Sequence, residues 1–234
     1  RELGPGSPWI QGAFAAGVAG IALFVAVERR TEAPLLPLEF FRRRNFTAPI
    51  VSNLFMNGAY MGAFVLAPFV LQGVFGFSIS AVAGIMLLRT LSLTLASPMG
   101  GVLGFRVGER GAAVTGCVIM TVSLVLIAFA VLERSLPLFG LGLVLQGTGH
   151  GLSLPSLTSS VSLAVPEEHL GIASAAQRQM VQVGTSFGIT LLTIVYAGQE
   201  DALSRAFAAG AVLSAVSLAA ALGMAGRGTR PVAG

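Results

Sequence analysis

The 234-residue chain has no lysine, one cysteine (Cys117), one tryptophan, two histidines and a single aspartate. Only 10% of its residues are charged, against roughly 25% in an ordinary soluble domain. Each shortage removes a class. Without lysine there is no Schiff base, so a multi-helix reading cannot mean a retinal protein. One cysteine cannot build a disulfide scaffold. Two histidines and one cysteine at unrelated spacings predict no metal site, and no phosphate-binding loop is present, so neither a cofactor nor direct nucleotide drive is expected. What fills the chain is apolar: 54% hydrophobic residues and a mean hydropathy of +0.83. A soluble fold of this size cannot hide that much apolar surface, and disorder needs the opposite composition. The class left is an integral membrane protein.

A membrane-spanning helix needs about 20 mainly apolar residues. Seven stretches qualify: Trp9–Val27, Phe46–Leu71, Ala81–Phe105, Ala112–Leu132, Leu136–Leu163, Ile172–Tyr196 and Phe207–Ala225. They are continuous rather than alternating, which predicts an all-α polytopic protein rather than a barrel. The breaks between them carry turn and charge signals, such as GVFGFS (73–78), FRVGERG (105–111) and LERS (132–135). The tail 226–234 reads as disordered. Trp9–Val27 lacks a basic leader and a closing small-residue site, so it does not read as a signal peptide. A first residue other than methionine reads as a portion of a longer chain.

All fourteen cations are arginine, and the net charge is +4. The arginines sit in short loops between apolar runs, which is how topology is specified, so no nucleic-acid partner is expected. With the 28–45 loop placed in the cytoplasm, nine loop arginines lie on that side and three on the other. The prediction is a multi-pass protein with a cytoplasmic C-terminus.

Polar residues inside the spans recur at helical spacing. Asn53, Asn57 and Tyr60 stand at i, i+4, i+7, and Gln146, His150 and Ser153 repeat that offset, as do Arg178, Gln182 and Thr185. Each triplet shares one helix face. Such stripes are either glue between helices or the lining of a polar chamber; three of them predict a chamber, walled by residues such as Phe55 and Phe64. Arg89 lies well inside the third span, where an arginine costs at least about 2.5–3.5 kcal/mol and must find water or a partner. Arg178, nearer a span end, can snorkel. The G-x-x-x-G pairs 58/62, 100/104, 104/108, 147/151 and 184/188 predict close helix packing.

None of the ten acids falls in a span core. That removes an intramembrane aspartyl protease. The nearest match to a G-x-S-G serine motif, Gly151-Leu152-Ser153-Leu154, lacks the last glycine. No catalytic residue is expected. It also leaves His150 as the one embedded side chain able to titrate near neutral pH.

The segment PMGGVLGFRVGER (98–110) resembles the loop signature of the major facilitator superfamily, with Pro98, Gly101, Leu103, Arg106, Gly108 and Arg110 matching and Phe105 standing where the family has an acid. WIQGAFAAGVAGIALFVAVERRTEAPLLPLEFFRRRNF (9–46) and VPEEHLGIASAAQRQMVQVGTSFG (165–188) resemble stretches of its fourteen-span drug/proton antiporters. The resemblance implies a gating role for the loop at Pro98, Gly101, Arg106, Gly108 and Arg110. It implies an extra span and basic cytoplasmic loop over 1–45 and a six-helix C-terminal transporter bundle over 46–225. It further implies proton-coupled efflux of amphiphilic small molecules by two bundles rocking about a midplane site, across a bacterial cytoplasmic membrane, with an N-terminal bundle still to be supplied. A metabolite or solute exporter of the same superfamily, or a half that only packs with another chain, are the alternatives. The predicted cavity residues are Asn53, Asn57, Tyr60, Arg89, Gln146, His150, Ser153, Arg178 and Gln182.

Overall fold

The computed structural model describes residues 38–197 and 202–225. Six long helices run through them: α1 (Arg44–Phe69), α2 (Ile79–Val107), α3 (Glu109–Leu132), α4 (Leu136–Leu163), α5 (Leu170–Tyr196) and α6 (Leu203–Leu222). No strand occurs among the described residues. The predicted span Trp9–Val27 and the predicted tail lie outside them. Five of the helices are long and apolar enough to cross a membrane. The sixth, α4, is long enough at 28 residues but is diluted by Gln146, His150 and a run of glycines and serines. Many of its polar residues are buried against the neighbouring helices.

Helix ends follow local chemistry, and they explain where the sequence reading misplaced them. Ser78 is extended and its hydroxyl accepts the Ala81 N–H at 3.4 Å, a cap that starts α2 at Ile79 rather than Ala81. Gly108, at φ 86° and ψ 156°, is the whole connection between α2 and α3; side chains other than hydrogen are strained there. Pro68 withholds an N–H near the end of α1, and the chain loosens into a π turn at Val70–Val74. The α6 helix begins at Leu203, four residues before the predicted Phe207, and ends at Leu222, before the predicted Ala225. The polar residues at its start suggest loop, yet the Ser204 hydroxyl donates to the Ala128 carbonyl at 3.0 Å and is buried.

The packing has an internal symmetry. The α4 helix packs along α2 and α3, and α1 packs along α5 and α6. Exchanging α1–α3 for α4–α6 therefore reproduces the same neighbour pattern. The α1 and α4 helices touch each other at the centre, and α2 and α5 lie outermost. Lipid tails are as apolar as leucine, so association between such helices rests on close packing and interhelical hydrogen bonds. Gly58 and Gly62 of α1 face Gly184 and Gly188 of α5, where a methyl on Gly58 would stand 2.8 Å from a carbonyl oxygen. On α4 the glycines split: Gly147 and Gly151 press on the α2 backbone at Arg89 and Leu93, while Gly149 meets Gly116 and Met120 of α3. The pairs 58/62, 100/104, 147/151 and 184/188 are thus contact seams, as their spacing predicts; in 104/108, Gly108 is instead the turn between α2 and α3.

Serines and threonines complete the seams. The Ser52 hydroxyl donates to the Ser217 carbonyl at 3.0 Å, and the Ser217 hydroxyl donates back to the Ser52 carbonyl at 2.8 Å. Cys117 lies beside both, so α1, α3 and α6 meet there. Thr121 and Ser214 join α3 to α6 at 2.9 Å, and the Gln177 amide donates to the Thr158 hydroxyl at 2.8 Å between α5 and α4. These contacts satisfy polar groups that the bilayer core cannot.

Candidate functional site

Three elements converge on one polar cluster. The α1 helix supplies Asn53, Asn57 and Tyr60, α2 supplies Arg89, and α4 supplies Gln146, His150 and Ser153. All seven are buried. The imidazole of His150 stacks on the Tyr60 ring, centroids 3.9 Å apart and planes within 7°. The Arg89 guanidinium carbon lies 3.6 Å from the same ring centre and 4.4 Å from that of Phe64. Two planar groups so near one centroid cannot share a face, so Tyr60 is sandwiched between Arg89 and His150. Arg89 also donates from Nη2 to the Tyr60 carbonyl at 3.0 Å. Cation–π contact of this kind is worth about 2 kcal/mol when desolvated, which offsets part of the cost of burying a guanidinium.

Toward the N-terminus of α1 the cluster continues. The Asn57 amide donates to the Asn53 side-chain oxygen at 2.6 Å and to its carbonyl at 2.9 Å. On α4 the Ser153 hydroxyl donates to the His150 carbonyl at 3.2 Å. What sets this region apart is what stays unbonded. Buried polar atoms without a hydrogen-bond partner among the described residues are Asn53 Nδ2, Arg89 Nε, both amide atoms of Gln146, His150 Nδ1 and the Ser156 hydroxyl. Every one belongs to α1, α2 or α4. The serines and threonines of the seams described above all have partners. A buried unpaired polar group costs about 1–3 kcal/mol, a cost that the hydrogen-bonded seams do not carry.

One member of each predicted triplet therefore meets the other directly, Tyr60 against His150, and Arg89 joins them; Ser153 lies instead against Gly116 of α3. Arg178 and Gln182 do not join them. Both are exposed on the outer side of α5, in a polar stripe with Ser174, Ser186 and Thr190. A shallow open groove there is lined by Gln179, Gln182, Val183, Ser186, Phe187 and Thr190. Ser156, three residues beyond Ser153 on α4, lies against Gly104 of α2.

The loop signature takes a plain structural form. Pro98 sits within α2, Gly101 has open space around it, and Gly108 turns the chain. Arg110 is exposed on the first turn of α3, and Phe105 is exposed too. An acid does act at this junction: Glu109 accepts a hydrogen bond from the Ser159 hydroxyl of α4 at 2.9 Å and lies beside Gly104. Spacing within the loop could not reveal that long-range partner. Among the described residues no cluster of metal-ligating side chains forms.

Comparison with known proteins bears on this arrangement. The Major Facilitator Superfamily model matches residues 3–189. The chain is 31% identical over 186 residues to the multidrug transporter protein MdtP of Bacillus subtilis, covering 80% of this chain and 34% of that protein. It is 32% identical over 179 residues to the multidrug resistance protein Stp of Mycobacterium tuberculosis, covering 76% and 33%. It is 33% identical over 199 residues to a tetracycline resistance determinant of Streptomyces rimosus, covering 82% and 56%. The chain spans about a third of the length of the first two. A match across most of the chain, carried on six long helices with a polar cluster at their centre, leaves one assignment: the chain belongs to the Major Facilitator Superfamily.

Proposed function

We propose that this chain is the C-terminal half of a secondary transporter that exports drugs or other amphiphilic small molecules in exchange for protons, by alternating access. In this reading residues 1–45 form an extra span and a basic cytoplasmic loop, 46–225 form the C-terminal bundle, and 226–234 form a cytoplasmic tail. The carrier sits in a bacterial cytoplasmic membrane. The observation that carries it is the set of unbonded polar atoms on α1, α2 and α4, which substrate and water satisfy when the cluster opens. The drug-resistance names of the relatives agree. Asn53, Asn57, Tyr60, Arg89, Gln146, His150 and Ser153 contact the substrate. Arg178 and Gln182 line the approach from α5, on the side where an N-terminal bundle docks. Pro98, Gly101, Arg106, Gly108 and Arg110 form the gating loop.

Cysteine scanning tests the site. In a Cys117→Ser background, single cysteines at Asn57 and His150 should react with a polar thiol reagent during transport and be protected by substrate. Cysteines at Met56 and Leu143, which are fully buried in the apolar core, should stay silent. Silence at all four positions would mean that the cluster never opens.

The orientation has its own test. The arginine bias places the segment before α1 and the tail in the cytoplasm. Reporter fusions after Arg44 and after Arg134 should give opposite signals; equal signals would end the topology.

A further inference from the structure

We propose that Arg89 is an anion-recognition residue, and that the cluster takes amphiphiles bearing an anionic oxygen in preference to cations. The inference rests on the transport reading and narrows its substrate class.

The charge count comes first. Arg89 is 2% exposed, and a guanidinium keeps its charge in proteins. Its contacts are one backbone carbonyl, the faces of Tyr60 and Phe64, and the Tyr60 phenol. None of these is an anion. The ion pair seen among the described residues, Glu168–His169 at 3.7 Å, is elsewhere, and Glu109 is engaged by Ser159. A positive charge is therefore held in the bundle core with no anion among these contacts and with its Nε–H unbonded.

The second observation is independent of charge. The unbonded buried atoms of α1, α2 and α4 are rich in donors. Arg89 Nε, Asn53 Nδ2 and Gln146 Nε2 can only donate, while Gln146 Oε1 can only accept and His150 Nδ1 can do either; the Ser156 hydroxyl lies apart, against Gly104. A ligand that satisfies such a set must be rich in acceptors. A carboxylate or a deprotonated phenol or enol brings several lone pairs and a negative charge to one point, and a guanidinium fork binds it with charge-assisted hydrogen bonds. An ammonium would bring further donors and a like charge into a poorly screened site. The exposed part of Phe64, 40% accessible beside the guanidinium, offers a flat apolar wall for the ring or chain that carries the oxygen.

The experiment uses the full chain in nanodiscs of zwitterionic lipid and three probes of one shape: 2-naphthoate, 2-naphthamide and 2-naphthylmethylammonium. Equilibrium dialysis measures their binding. Naphthoate should bind about tenfold or more tightly than naphthamide, the scale of one charge-assisted hydrogen bond, and the ammonium most weakly. Arg89→Gln should erase that order. Arg89→Lys, which keeps the charge and loses the fork, should shrink the preference without reversing it, and it carries the test if the glutamine variant does not fold. Equal binding of naphthoate and naphthamide by the wild type, or a preference that survives Arg89→Gln, would overturn the proposal. His150→Leu separates the two levels. If it weakens all three probes alike while no charge preference exists, the site stands and the anion inference fails. If it changes none of them, the site reading fails and the inference with it.

Discussion

Replacing Gln146 by leucine should make the protein more stable and export slower. Gln146 is fully buried, and neither of its amide atoms has a partner. A buried group in that state costs about 1–3 kcal/mol, and leucine fills nearly the same volume without polar atoms. The folded state should therefore gain about 1–3 kcal/mol, read as a higher unfolding midpoint in detergent. Efflux should fall by about 10- to 100-fold, the range for removing a polar contact that a substrate needs. Ser217→Ala is the contrast. Its hydroxyl is bonded across the α1–α6 seam, so stability should drop by about 0.6–1.7 kcal/mol, the range measured for such bonds in membranes, with transport retained in the protein that folds. If Gln146→Leu lowered stability in the same way, Gln146 would be glue, and the cluster would lose its claim to be a site.

The second large effect concerns two glycines that look alike in sequence. A methyl on Gly188 would overlap the backbone of α1 at Gly58, and backbone atoms of one helix cannot move away without dragging the helix. Overpacking costs about 1–3 kcal/mol where side chains can adjust; here Gly188→Ala should cost about 3 kcal/mol or more and remove most of the folded protein. Gly101 belongs to the loop signature and has open space around its missing side chain. Gly101→Ala should raise stability by about 0.5–1 kcal/mol, the usual gain from alanine in a helix interior. Thermal unfolding of the two purified variants decides it. A tolerated Gly188→Ala would mean that α1 and α5 do not meet as described. A gating role for Gly101 would instead appear as altered transport at unchanged stability.

These contrasts show where reading the chain succeeds. The membrane class, the all-helical architecture and the approximate place of six helices follow from residue order, because a bilayer imposes local rules. A span must be about 20 apolar residues long, and its backbone must bond within itself. The stripes at 53/57/60 and 146/150/153 are legible for the same reason, since the helical repeat alone puts each triplet on one face. Even the seams at 58/62 and 184/188 announce themselves by their small residues.

Which faces meet is a different matter. Arg178–Gln182 has the spacing of the two central stripes, yet it points out of α5, while Arg89, alone in its helix, completes the cluster by stacking on Tyr60. Ser52 and Ser217 are 165 residues apart and exchange hydrogen bonds; Glu109 finds Ser159 across 50. The rotation of a helix about its axis is set by the neighbours it packs against, and lipid rewards an apolar residue much as a protein neighbour does. Composition therefore places each helix in the membrane but leaves its inward face open. Only the tertiary packing, with glycine seams holding α4 against α2 and α1 against α5, separates polar groups that join helices from those left without partners.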